Sequence, residues 1–336
     1  MAKNCRDGEK MGFLDEIDGL FPIRRSDEQK RAFRAWAVSR AEEMGYAVRV
    51  REDGGKKAHR NIEIGDPSRA KVIFSAHYDT PARSLFPNLL LPANPGLGVL
   101  YAVLTVLPLV AAAMLAGFGV MRFFRTESFN MQDSMAYRLG VILVYLAAYF
   151  ALFMAKLRGA ANPRNRNDNT SGVAAVFRTM ELMPASARGE AAFLLFDNEE
   201  KGKLGSKAFS KANPAIQEKT LLVNLDCVGN GDNLVMVTGK KTAESPLYPT
   251  LQKALGAQGL PLTVLGYKEG KANSDHVNFD MGASVLACRR GKIVRFVTGR
   301  IHTARDVAAD GGNVKAVARG LTQFMQYIKE ETGVGR

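Results

Sequence analysis

Cysteine is scarce in this chain. Only Cys5, Cys227 and Cys288 occur in 336 residues, an odd number at wide spacing. That excludes a disulfide framework and fits a reducing compartment. The N-terminal stretch Met1 to Lys10 is polar and lacks an apolar core, so no secretory signal peptide is expected. Acidic residues are outnumbered, 33 Asp and Glu against 46 Lys and Arg, leaving a net charge of +13. Such an excess fits nucleic acid, anionic lipid or simple solubility. The basic residues are scattered, however, and no zinc-finger or RNA-binding signature accompanies them, so nucleic acid is not expected as a partner. Internal repeats and low-complexity tracts are also lacking. The length suits one large domain or two modest ones.

Charge is missing altogether from two long stretches, Leu97 to Met121 and Leu139 to Ala155. A helix of about 20 apolar residues crosses a bilayer. Both stretches are therefore expected as membrane spans that contact the lipid bilayer. Pro108 would kink the first, which membrane helices tolerate. The second is short, but Arg138 and Lys156 can snorkel and Tyr137 can sit at the interface. A buried helical pair or a dimerisation hairpin would carry more polar residues than these do. Two spans return the chain to the side it left. Arg83, Lys156, Arg158, Arg164 and Arg166 fall on that side, and Arg122, Arg125 and Arg138 fall toward the far loop. This bias predicts a multi-pass protein of the cell membrane whose main body faces the cytoplasm.

Outside the insert the pattern is that of an α/β domain. Ser26 and Gln29 form a capping box ahead of Phe33, Trp36, Ala37, Ala41 and Met44 at helical spacing, with Gly45 as the stop. Strands are expected over 47–51, 61–64, 72–76, 191–196, 221–225, 234–238 and 284–287. Helices are expected over 171–183, 246–255 and 314–328. This alternation predicts a mixed, mostly parallel sheet with helices on both faces. Residues 1–84 would be its first part, 85–160 an inserted transmembrane helical hairpin, and 161–336 the remainder.

The polar residues of interest come just after the apolar strands, where open α/β sheets collect ligands. His77 closes one strand, and Asp79, two residues on, can orient its imidazole. Asp168 precedes a helix, where its carboxylate could bridge two cations. Glu199 and Glu200 are adjacent at another strand end, so one can hold a metal while the other holds a water. Asp226 closes a third strand, and His302 lies in a polar loop. Each motif alone is weak: a His-x-Asp pair is mostly chance, and an acidic pair is usually a solvated surface. Together, in this order, they describe a site for zinc, which accepts imidazole nitrogen and carboxylate oxygen.

The segments Ser75-Ala76-His77-Tyr78-Asp79, Asn167-Asp168-Asn169-Thr170-Ser171-Gly172, Phe196-Asp197-Asn198-Glu199-Glu200, Asn224-Leu225-Asp226, Asn273-Ser274-Asp275-His276 and Ile301-His302-Thr303 resemble the co-catalytic dizinc aminopeptidases, of the leucyl aminopeptidase and aminopeptidase Y type. The resemblance extends from Ala47 onward, the insert excepted. It implies two zinc ions per chain and a zinc-exopeptidase-like fold. His77 and Asp226 would bind one ion, Glu200 and His302 the other, and Asp168 both. It implies Glu199 as the general base toward the attacking water and Asp79 as the support of His77. Asp275 is a candidate for holding the substrate amine or positioning a proton donor, and His276 for a structural role. In that family the loop between the motifs of His77 and Asp168 is short; here it holds the whole insert. The expected function is a membrane-anchored aminopeptidase acting on peptides. Two other readings compete: a glutaminyl cyclase-like zinc acyltransferase, generally with one zinc, and a non-catalytic receptor or scaffold on the same fold.

Overall fold

A computed structural model of the protein describes residues 12–53, 58–84, 86–123, 139–140, 142–150 and 159–333. Its centre is parallel. Strands β3 (Val72–His77), β5 (Ala191–Phe196) and β6 (Leu221–Leu225) are buried at every position. Such near-continuous apolar runs are what a sheet covered on both faces requires. β3 pairs in parallel with both β5 and β6, and β6 with β9 (Gly282–Arg290). Antiparallel strands close both sides. β1 (Val48–Asp53) and β2 (His59–Ile64) lie beyond β5, while β10 (Phe296–Ile301) and β4 (Asn88–Leu90) lie beyond β9. β7 (Asn233–Thr238) pairs with β9 and with β8 (Leu262–Leu265). The sheet is thus mixed, with its parallel part at the centre.

Successive side chains of a strand face opposite ways. Val72, Phe74 and Ala76 pack in the larger core with helices α2 (Asp27–Glu43), α4 (Gly172–Leu182) and α8 (Gly311–Gly333). Ile73 turns to the other face, where Phe196, Phe209 and Phe279 form a second core. Phe209 comes from α5 (Leu204–Ala212), which is followed by α6 (Pro214–Lys219). α1 (Phe13–Leu20) and α7 (Tyr248–Gly256) join the larger core through Leu14, Ile17, Leu251 and Leu255. The Ser26–Gln29 capping box forms as expected. β4, β8, β10, α1, α5 and α6 were not expected. β4 is only three residues long, and β10, Phe-Val-Thr-Gly-Arg-Ile, lacks a clean apolar alternation.

The insert opens with a strand rather than a span. β4 falls within 85–160 but is part of the sheet, paired with β10. Helix α3 (Pro95–Phe123) follows, with Pro108 inside it. Val99, Leu100, Val103, Leu104, Leu107, Met114, Leu115 and Phe118 are all exposed along it. Pro95–Leu115 has the length and hydropathy of a membrane span. Residues 139–140 and 142–150 are also helical, and Leu143, Leu146 and Phe150 are exposed there. The rest of the second expected span, 141 and 151–155, and the far loop lie outside the described residues. The two apolar segments touch: a Cβ at Gly117 would stand 2.7 Å from Tyr145 Cε1. Small residues allow this close approach of apolar helices.

Both roots of the insert are tied to the α/β domain. Ala82 bridges Ala161, and the Arg83 N–H donates to the Ala160 carbonyl at 2.8 Å. The Ser84 N–H donates to the carbonyl of His302 at 2.7 Å. The Tyr101 hydroxyl, two turns into α3, donates to the Pro87 carbonyl at 2.8 Å, one residue before β4.

Candidate metal centre

The sheet delivers the ligands to one place. β3 and β5 run in register with His77 opposite Phe196, and Ser75 stands opposite Asn224 of β6. His77, the Asp197–Glu200 turn and Asp226 therefore emerge at the same level, at the carboxyl ends of parallel strands. β10 returns antiparallel along β9, and its end carries His302 back. Asp168 comes from the turn over Arg166–Ser171 that leads into α4. Asn198, Cys227 and His302 all adopt left-handed backbone, with φ of 57°, 58° and 61°. Non-glycine residues rarely do so, and strain of this kind gathers at functional sites. Here it turns the chain sharply beside Glu199, beside Asp226 and at His302 itself.

The side chains form two triads that share one carboxylate. His77, Asp168 and Asp226 offer donor atoms within 4.8 Å of one another, as do Asp168, Glu200 and His302. The two Asp168 oxygens divide between the imidazoles: Oδ1 is 3.4 Å from His77 Nε2, and Oδ2 is 3.0 Å from His302 Nε2. Asp226 Oδ1 is 3.8 Å from His77 Nε2, and Glu200 Oε2 is 3.4 Å from His302 Nε2. Glu199 groups with His77 and Glu200 at the same spacing. Every ligand candidate read from the sequence is therefore in the cluster. The donor set of imidazole nitrogens and carboxylate oxygens suits zinc. Glu200 Oε1 is buried and has no hydrogen-bond partner, as expected of an oxygen reserved for a cation.

Asp79 acts differently from the expectation. Its carboxylate stands 3.7 Å from His77 Nδ1, whereas its backbone carbonyl is at 3.1 Å from that nitrogen. The carboxylate instead accepts the backbone N–H groups of Glu199 at 2.9 Å and Glu200 at 3.3 Å. Asp79 thus orients the imidazole through its main chain and fixes the acidic pair through its side chain. The same turn is held from the other direction by Lys30, whose buried ammonium meets Asp197 Oδ1 at 2.6 Å and Asn198 Oδ1 at 2.8 Å.

Asp306 has a comparable role that the sequence did not signal. Its two oxygens accept the backbone N–H groups of Asn167 at 3.1 Å and Asp168 at 3.0 Å. Behind them, Asn169 Oδ1 accepts from the N–H of Gly172 at 3.1 Å and of Cys227 at 3.2 Å, joining the two metal-ligand turns. Gly172 is required for this approach, since a Cβ there would lie 2.3 Å from the Leu225 carbonyl. Burial, with the Asp168 charge added, pushes the Asp306 carboxyl up to about 8.

Asp275 is fully buried and donated to by the Ser206 hydroxyl at 2.5 Å. Burial lifts it to about 7. It is not among the residues that line the cleft over the metal candidates. The cleft, about 260 Å³, is lined instead by Asn273 and Lys203, which hydrogen-bond each other at 2.8 Å, and by Ile301 and the Asn88 and Leu90 side chains of β4. The root of the insert is therefore one wall of the site. A larger hollow of about 890 Å³ beside α1, α2 and α8 is lined by none of the metal-ligand candidates.

The electrostatics are those of a site built for cations. Burial lifts the Glu199 and Glu200 carboxyls well above the ordinary value, and neighbouring carboxylates add to the effect. Burial works against the His77 imidazolium, but Asp168, Asp226 and Asp79 outweigh it and hold it well above its usual range. Asp168, although buried, is lowered by His302 and His77. Raised groups contribute stability that is complete below their unfolded values and lost as pH rises through the folded ones. Glu199, Glu200 and His77 all act in that sense, and Asp168 opposes them only below the ordinary aspartate value. The metal-free protein is therefore expected to lose stability as pH rises above the ordinary glutamate range. Metal displaces these protons, so its stabilisation grows over the same window. Thermal unfolding of metal-loaded and chelator-stripped protein should show a gap that widens with pH; a constant or narrowing gap would count against the cluster as a cation site.

Residues 161–325 match Peptidase family M28. No curated protein matches the chain in sequence. Among solved structures, a Zn-dependent exopeptidase from Parabacteroides distasonis superimposes with a TM-score of 0.58 at 15% identity, over 93% of this chain and 95% of that one. The LapA aminopeptidase of Legionella pneumophila gives 0.54 at 13%, over 94% and 67%. The glutaminyl cyclase of Porphyromonas gingivalis gives 0.55 at 16%, over 95% and 96%. At these identities the structures establish a shared fold, and the family match adds the chemistry. The chain shares the fold of a zinc-dependent exopeptidase and, across residues 161–325, the sequence pattern of peptidase family M28, which marks it as a hydrolase.

Proposed function

We propose that this protein is a membrane-anchored aminopeptidase that releases N-terminal residues from peptides with two zinc ions per chain. The observation that carries the reading is Asp168, one oxygen against each of two imidazoles, at the join of two complete triads. His77 and Asp226 would hold one ion, Glu200 and His302 the other, and Asp168 both. Bound there, zinc would supply a nucleophilic water at neutral pH and polarise the scissile carbonyl. Glu199 stands beside both triads with its carboxyl raised, the setting of a general base. Asp79 keeps it in place through its backbone N–H. The cleft of about 260 Å³ lies below the roughly 300–1,000 Å³ of sites that enclose a drug-sized ligand. That fits one terminal residue better than an extended chain.

The apolar length of α3 and its exposed side chains support anchoring in the bilayer, with the second apolar segment returning the chain. The basic residues near the roots favour the cytoplasmic side for the catalytic domain. A cyclase needs only one zinc, and two complete triads favour hydrolysis over it. Metal analysis of the detergent-purified protein, joined to a panel of aminoacyl, peptide and N-terminal glutaminyl substrates, tests the reading. It predicts about two zinc ions per chain and chelator-sensitive release of N-terminal residues. One ion with cyclisation of glutaminyl peptides would replace it by the cyclase reading, and no turnover by the scaffold reading.

A further inference from the structure

We propose that the turn between β9 and β10 is a second membrane contact, which docks on an anionic lipid surface beside the root of α3. The inference rests on the reading of the insert as a membrane anchor. The turn reads Arg289-Arg290-Gly291-Lys292-Ile293-Val294-Arg295, with four cations and no acid in seven residues. Arg289, Arg290, Lys292 and Arg295 are all exposed, and none is ion-paired among the described residues. Ile293, at the tip, is 94% exposed, more than any large apolar side chain recorded on α3. An apolar tip ringed by cations is costly in water and matches the interfacial region, where the apolar group enters the acyl boundary and the cations meet headgroups.

Position identifies the partner. The Arg295 N–H donates to Asn94 Oδ1 at 3.1 Å, and Asn94 is the residue before α3. The turn is thus fastened to the place where the apolar helix leaves the catalytic domain. A bilayer that receives α3 meets this turn at the same level, and its anionic leaflet complements the charge. The Arg289 guanidinium, bonded to Asn230 Oδ1 at 3.1 Å, steadies the base of the turn. β10 leads from this turn to Ile301 and His302, and its partner β4 supplies Asn88 and Leu90 to the cleft. Docking the turn would therefore hold the β4–β10 wall of the cleft close to the lipid surface, where peptides leaving the membrane would meet it.

The test uses the full chain carrying Cys5→Ser and Ile293→Cys; Cys227 and Cys288 are buried. An environment-sensitive dye is attached at 293. The protein is reconstituted into vesicles of phosphatidylcholine alone and of phosphatidylcholine mixed with phosphatidylglycerol, and anchoring is read independently by flotation. The expected result is flotation with both vesicles and an apolar dye signal strongest with phosphatidylglycerol. Replacing Arg290 and Lys292 by glutamine should lower the docked-to-free ratio by roughly five-fold per cation. Flotation with a fully aqueous dye signal in both lipids would overturn this inference and leave the anchor standing. Failure to float overturns both. A dye signal reproduced by soluble polyphosphate without vesicles would overturn the assignment to lipid.

Discussion

Glu199→Gln is expected to cut peptide turnover by roughly 10²–10⁴-fold while metal content and thermal midpoint stay at the wild-type level. The argument is positional. Glu199 shares its surroundings with His77 and Glu200, but His77 and Glu200 are each placed in a triad with Asp168, and Glu199 is not. Its carboxylate is therefore free to take a proton. Burial, and the carboxylates of Asp275, Asp226 and Asp79, raise its proton affinity well above that of an ordinary glutamate. A glutamine amide has the same shape and cannot accept that proton. The loss should fall on kcat, with KM little changed, because the group acts in the transition state more than in the ground state. Glu200→Gln provides the contrast, since it removes a ligand oxygen next to His302 and should lower metal content. Unchanged kcat in Glu199→Gln would remove Glu199 from the mechanism; lost metal in that variant would move it among the ligands.

Much of this site was legible in the sequence because its ligands are punctuated by hydrophobic runs. His77 ends, and Asp226 and the Glu199–Glu200 pair follow, strands buried at every position, and parallel pairing brings those strand ends level. The groups that hold the ligands were less legible. Asp306 works on the backbone amides of Asn167 and Asp168, about 140 residues away in sequence. No spacing rule encodes such a contact. Asp79 departs from its sequence pattern for a related reason. The His-x-Asp spacing suggests a carboxylate on the imidazole, but the chain turns so that the carboxylate reaches the Glu199 and Glu200 amides instead. β4 escaped notice because three residues carry no periodicity, yet its Asn88 and Leu90 face the cleft while Leu89 packs over Gly299.

The insert is also less separate from the chemistry than its composition implies. Ser84, just before it, donates to the carbonyl of His302, and Tyr101 on α3 holds Pro87 next to β4. A ligand loop and a cleft wall are thus anchored on the same segment that enters α3. An apolar detour between two ligand motifs does not disturb the centre because the bridge between Ala82 and Ala161 closes its base. The two ends of the detour meet, and the catalytic domain folds as though the intervening residues were a loop.

Asp168→Ala is expected to abolish activity by emptying both proposed metal sites rather than one. Each triad would fall to two protein ligands, below the three that catalytic zinc sites keep. The His77 and His302 imidazoles, now 3.4 and 3.0 Å from a carboxylate oxygen, would lose the anion they share. Asp226→Ala depletes only the triad of His77 and should leave the site of Glu200 and His302 partly filled. Asp306→Asn sets the scale for indirect effects. It keeps one acceptor but points an amide N–H₂ at a backbone N–H, and outer-sphere changes of this kind cost about 10–100-fold in affinity or activity. Asp168→Ala should exceed that range, with metal per chain falling toward zero by elemental analysis. The outcome that would sink the shared-carboxylate arrangement is retention of one full equivalent of zinc in Asp168→Ala, because neither remaining pair should hold an ion alone.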